Sequence, residues 1–127
     1  MFNLFGWLKP SFGQYSVSNQ TSKIINFDWK EINSLLSNSQ VNHALIMADK
    51  CLDSALKDVV SGESMADRLK NAKNRFSPDL YNKIWEAHKM RNVLVHESGS
   101  SEKDDLLKAH IWNLRKGLES LGVKING

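Results

Sequence analysis

From residue 28 onward the apolar residues recur every three or four positions, the period of one buried helical face. Asp28-Trp29-Lys30-Glu31 reads as a capping box that opens a short first helix ending near Ser37. Val41, Ala44, Leu45, Ala48, Cys51, Leu52, Ala55, Leu56 and Val59 form the buried stripe of a longer second helix, with Gly62 as its stop. Ser64-Met65-Ala66-Asp67 opens a short basic third helix whose inward residues are Met65, Leu69, Ala72 and Phe76. Ser77-Pro78-Asp79 starts the fourth, with serine as cap and proline at the first helical position. Its inner face takes Leu80, Ile84, Trp85, Ala87 or His88, Leu94 and Val95. After Ser98-Gly99-Ser100, Ser101 caps a fifth helix lined by Leu107, Ile111, Leu114, Leu118 and Leu121 and stopped at Gly122. No segment alternates with a strand period for long, and no hairpin dipeptide separates apolar runs. The pattern predicts an all-α fold, an up-and-down bundle of four to five helices.

Residues 1–27 have a different texture. Phe2, Phe5, Trp7, Phe12 and Tyr15 crowd ahead of a polar stretch, and Pro10 and Gly13 interrupt any helix there. The organisation expected is an aromatic and polar arm or linker over 1–27, a helical bundle over 28–122 and a short tail over 123–127. The arm's aromatics are expected to dock on the bundle or on a second copy. The 127 residues suit one domain. No apolar run approaches the length of a bilayer span, the N-terminus lacks the pattern of a secretory leader, and Cys51 is the single cysteine. A cytoplasmic protein without a membrane span is the expectation. Cys51 falls on the apolar face of the second helix and reads as a small hydrophobe, while Trp29, Trp85 and Trp112 read as core aromatics.

Charge changes the picture by where it lies. The net charge is +3, but between Ala66 and His96 seven basic residues face three acidic ones, so that window carries +4 and the remainder is nearly neutral. Concentrated positive charge suits an anionic partner such as RNA or a nucleotide, with Arg68, Lys70, Lys73, Arg75 and Lys89 as the candidate RNA-binding residues. No glycine-rich phosphate loop, nucleophile elbow or paired-cysteine metal site is present. His88 and His96 would stand roughly 12 Å apart along one helix, too far to share a metal. No metal or cofactor is therefore expected. Asp49 and Asp53, one turn apart and flanked by Lys50 and Lys57, read as a solvated face.

The segment that stands apart is His88-Lys89-Met90-Arg91-Asn92-Val93-Leu94-Val95-His96-Glu97. Asn92 and His96 lie one turn apart on one face, whereas Arg91 points about 140° away from His96 unless its long arm swings round. Two copies across a symmetric interface would bring both pairs into one cleft. The chemistry of these groups suits RNA. A neutral imidazole accepts a proton from a ribose hydroxyl, a guanidinium holds phosphorane charge, and Asn92 orients the imidazole or binds a phosphate oxygen.

Lys89 to Glu97, with asparagine after the arginine and histidine closing the segment, resembles the Arg-x4–6-His motif of the HEPN superfamily. The likeness extends over about residues 28–122, with a long second helix, a short basic third, the motif helix and a closing helix. The resemblance implies a metal-independent endoribonuclease of toxin or defence type, a homodimer with a composite site that leaves a 2′,3′-cyclic phosphate. It assigns His96 as the acid/base group, Arg91 as the phosphate ligand, Asn92 as an orienting residue and Glu86 as the acidic residue upstream of the motif. It also implies an antitoxin or nucleotidyltransferase as a partner. Other members are non-catalytic nucleotide- or protein-binding helical modules, the alternative for this chain.

Overall fold

The structure, a computed structural model, describes residues 15–97 and 102–127. Within these residues the chain forms five α-helices, α1 (Asn19–Ser37), α2 (Val41–Val59), α3 (Met65–Asn71), α4 (Pro78–His96) and α5 (Asp104–Ser120). A 3-10 turn over Lys73–Arg75 links α3 to α4. The described residues contain no strand, so the all-α bundle expected from the pattern is the architecture observed. No helix among them is long and apolar enough to cross a membrane.

α2 is the central element, packed against α1, α5, α4 and α3, while α4 and α5 also pack on each other. Its stripe of Val41, Ala44, Leu45, Ala48, Cys51, Leu52, Ala55, Leu56 and Val59 is buried, as the spacing predicts. Ile84 and Ala87 of α4 and Leu107, Ile111, Leu114 and Leu118 of α5 complete the same core. Gly117 lets α5 approach closely, because a Cβ there would stand 2.9 Å from Cδ1 of Ile84. Ser64 and Ser77 cap α3 and α4 with their hydroxyls, accepting from the N–H of Asp67 and Leu80. The expected cap Ser101 lies outside the described residues. α2 ends at Val59, three residues before the expected stop.

The N-terminal boundary differs from the pattern. α1 begins at Asn19, nine residues before the expected start. Ser18 is the cap, its hydroxyl accepting from Thr21 N–H, and its own N–H donates to Asp58 at the end of α2. The buried stripe Ile25, Trp29, Ile32 and Leu35 needs this longer helix, and Asp28 sits in its middle with a carboxylate oxygen 3.9 Å from the Cys51 sulfur. Burial and that neighbouring negative charge push the Cys51 thiol up to about 12, so it stays protonated. The arm expected over 1–27 is thus helical from residue 19, and residues 1–14 lie outside the described residues. The short tail also belongs to the body of the fold. Val123 and Ile125 are buried, and the Asn26 amide both donates to the Lys124 carbonyl and accepts from Asn126 N–H, each at 2.8 Å.

Two helix ends carry the same closing motif with different residues. At the end of α5, Val123 N–H bonds to the Leu118 carbonyl and Gly122 N–H to that of Glu119, with Gly122 at a φ of +92°. At the end of α1, Gln40 N–H bonds to Leu35 and Ser39 N–H to Leu36, but the left-handed position is held by Ser39 at a φ of 58°. A side chain in that region is strained by its own Cβ. Ser39→Gly is therefore expected to stabilise the protein by about 0.5–1 kcal/mol after allowing for the looser unfolded chain, measured as a higher urea midpoint.

Candidate functional site

The motif residues occupy the last two turns of α4, where the helix runs past the densest part of the core. Ile84, Ala87 and His88 are buried, Arg91 to Leu94 are half-buried, and Val95 and His96 are exposed. Arg91 does swing round its helix. Its Nη1 donates to Oδ1 of Asn92 at 3.0 Å, bringing guanidinium and carboxamide together. His96 is the final residue of α4 and makes no hydrogen bond or ion pair with Arg91 or Asn92 among the described residues. The chain itself joins two of the three motif side chains, Arg91 and Asn92.

What holds Arg91 is a residue the sequence reading placed in solvent. Asp49 of α2 is only 2% exposed, and its Oδ2 lies 3.0 Å from Nδ1 of His88 and 3.8 Å from Nε of Arg91. An ionised carboxylate only accepts, so the proton of this contact lies on Nδ1 of His88. The second carboxylate oxygen, Oδ1, is buried without a hydrogen-bond partner, which leaves capacity for a second guanidinium bond. Asp49 and Arg91 form the loose end of the network, while Asp49 and His88 form the tight one. The signal for this was in the pattern, since Asp49 stands four residues after Leu45 and three before Leu52, on the buried stripe. Glu86, expected beside the motif, faces elsewhere. It is exposed, shares a shallow depression with Asn82, Trp85 and Lys89, and acts electrostatically on His110.

The basic residues divide into two groups. Arg68, expected to bind RNA, is buried against Asp53, with Nε and Nη2 donating to its two oxygens at 2.7 and 2.9 Å. Nη1 donates to the Gly62 carbonyl at 2.8 Å, so the guanidinium ties α3 to the end of α2. Asp53 is accordingly a partner of Arg68 rather than part of a solvated face. Arg75 is likewise committed inside the chain, donating to the carbonyls of Tyr15 and Leu121. These two arginines serve the architecture because each guanidinium offers several planar donors to acceptors within the chain. Lys70, Lys73 and Lys89 are exposed, and Lys73 Nζ stands 5.6 Å from the ring centre of Tyr81.

The remaining aromatics and histidines also sort by burial. Trp29 is in the core, Trp85 is half-buried, and Trp112, expected in the core, is 55% exposed with Lys116 over its ring. Trp112 falls on the outer side of α5, one position past the buried Ile111. His43 is exposed, whereas His110 is buried with Nδ1 unpartnered. Among the described residues no group of three His, Cys, Asp or Glu side chains is placed to hold a metal ion.

Two predictions follow from these burials. Asp49→Ala strands His88 and Arg91, and is expected to cost about 2–4 kcal/mol in urea unfolding, against no more than about 0.5 kcal/mol for the exposed His96→Ala. Burial lowers the pKa of His110, with Glu86 pulling the other way. The unfolded chain then binds the proton more readily than the folded one, so stability falls as the pH drops through the ordinary histidine range and below. His110→Gln is expected to flatten that loss, compared by unfolding at about pH 7 and pH 5.

No family model matches the chain, and comparison with curated proteins and with solved structures finds no match.

Proposed function

We propose that the protein binds RNA as a homodimer and cleaves it without a metal, through Arg91, Asn92 and His96. The observation that carries this reading is the guanidinium of Arg91, held between a buried carboxylate and Asn92 while its side chain keeps 35% exposure. An arginine placed only for packing would have its donors turned inward, as in Arg68. Arg91 instead is anchored from behind and open in front, the arrangement a phosphate ligand needs. His96 sits one turn beyond Asn92 at the exposed end of the helix. Val95 at 46% and Leu106 at 44% exposure leave apolar surface near the end of α4 and the start of α5, suited to a second copy.

In this reading neutral His96 takes the proton from a ribose 2′-hydroxyl as the 2′-oxygen attacks the adjacent phosphorus. Arg91 neutralises the charge that builds on the non-bridging oxygens, and Asn92 holds the guanidinium in register. The P–O5′ bond breaks, and O5′ takes its proton from the partner subunit's His96 in its charged form. The products are a 2′,3′-cyclic phosphate and a 5′-hydroxyl, so every proton has a donor and an acceptor. HEPN-like toxin or defence roles, with an antitoxin or nucleotidyltransferase as partner, belong to this same proposal.

The test is cleavage of a mixed labelled RNA pool in EDTA, with product ends assayed for the cyclic phosphate. Wild type is expected to cut. His96→Ala and Arg91→Ala, both folded, are expected to lose about 10²-fold or more in rate. Binding without cleavage by wild type would instead make the protein a non-catalytic nucleotide- or protein-binding module.

A further inference from the structure

α4 carries a second pattern beside its core stripe. Tyr81, Trp85, His88, Asn92 and His96 are spaced by four, three, four and four residues, so they share one face of the helix. They extend over about 22 Å of helix axis. From Phe76 to the buried His88 the rings form a row. Phe76 and Tyr81 are stacked with centroids 6.4 Å apart, Tyr81 meets Trp85 edge-on at 6.2 Å, and Trp85 meets His88 at 6.1 Å. Ile84 and Ala87 point into the core while Tyr81 and Trp85 lie to one side of them, half-buried. T-shaped contacts with Tyr81 and His88 fix the indole, which stays partly exposed. Exposed Lys73 stands over Tyr81, and exposed Lys89 shares the depression beside Trp85 with Asn82 and Glu86. Neither lysine is in an ion pair among the described residues, whereas Lys83 on the same helix is paired with Asp79 at 3.1 Å.

Half-exposed aromatics in a line, flanked by unpaired cations, suit a strand whose bases are free to stack and whose backbone is charged. A duplex offers neither, because its bases already stack on one another and its edges lie in grooves too narrow or too shallow for a helix face. We propose that the Tyr81–Trp85 row is a track for unpaired RNA, with Trp85 as its base-stacking ring, that leads the strand to Asn92 and His96. A base stacks on Trp85, while Tyr81, held between Phe76 and Lys73, supports the indole, and Lys73 and Lys89 take phosphates. The Asn82 amide and Glu86 carboxylate meet base edges, the carboxylate accepting from an exocyclic amine. This deepens the RNA reading of α4 and rests on it for the identity of the strand, fixing the substrate class as single-stranded.

The test uses the full chain and a fluorescent 2′-O-methyl RNA of about a dozen nucleotides, which binds but lacks the hydroxyl that cleavage needs. Anisotropy gives the Kd for the single strand and for the same sequence as a duplex. Trp85→Leu is expected to weaken single-strand binding about ten-fold or more, Trp85→Phe to stay near wild type, and the duplex to bind at least about ten-fold more weakly than the single strand. Lys89→Glu and Asn82→Ala, both exposed, carry the test if Trp85→Leu melts early, and each is expected to raise Kd. A folded Trp85→Leu with wild-type Kd, unchanged Kd in both surface variants, or equal binding of duplex and single strand overturns the track. Trp85-dependent binding by a wild type that cuts no natural RNA keeps the track and rejects the nuclease. Cleavage with an unchanged KM in folded Trp85→Leu does the reverse.

Discussion

A carboxylate buried on the most buried helix dictates where α4 lies. Asp49 belongs to the stripe of α2 that otherwise holds only apolar side chains, and an isolated charge there would be lost to desolvation. It is tolerated because His88 and Arg91, three residues apart on α4, approach it from one helix face. Partners at that spacing fix both the axial position and the rotation of α4 against α2, which uniform apolar contacts would leave looser. Everything else on α4 inherits that setting, including the direction in which Asn92 and His96 face.

The positive charge of the 66–96 window is divided by the same logic. Guanidiniums within reach of acceptors on other parts of the chain were taken by the fold. Arg68 closes on Asp53 and the Gly62 carbonyl, and Arg75 closes on the carbonyls of Tyr15 and Leu121. Gly62 is needed for the first of these, since a Cβ at its φ of +153° would stand 2.8 Å from Arg68 Cγ. The ammonium groups, strongly hydrated and without a planar fork, stayed outside. Counting basic residues along the chain overstated the cationic surface for that reason.

Periodicity and caps made α2, α3 and most of the core legible, because burial there follows one stripe per helix, whereas Val95, expected on the inner face of α4, is exposed near the helix end. The start of α1 was not, since Asn19 to Lys23 are polar and a serine cap at residue 18 looks like any serine in a polar stretch. Residues 123–127 read as a short tail outside the bundle because two buried apolar residues at alternate positions, Val123 and Ile125, are too few to register as an element. In the candidate site Arg91 and Asn92 were visible as a motif, and their contact required only the length of the arginine side chain. Asp49 and its link to His88 were not. A charged residue on an apolar stripe is read as solvated until its partner, 39 residues away, is placed beside it. Trp112 failed in the opposite sense, as a large apolar side chain left outside by one step of helix rotation.

The clamp between Asn26 and the tail sets the order in which the chain completes itself. The two hydrogen bonds of Asn26 join positions 98 and 100 residues apart, and Val123 and Ile125 are part of the buried core. During synthesis α1 emerges first, yet that seam stays open until residue 126 is clear of the ribosome. Contacts of such long separation are slow to form. The amphipathic α1 therefore keeps part of its surface uncovered until residues 123–126 have been made, and in that interval nascent-chain chaperones have a face to hold.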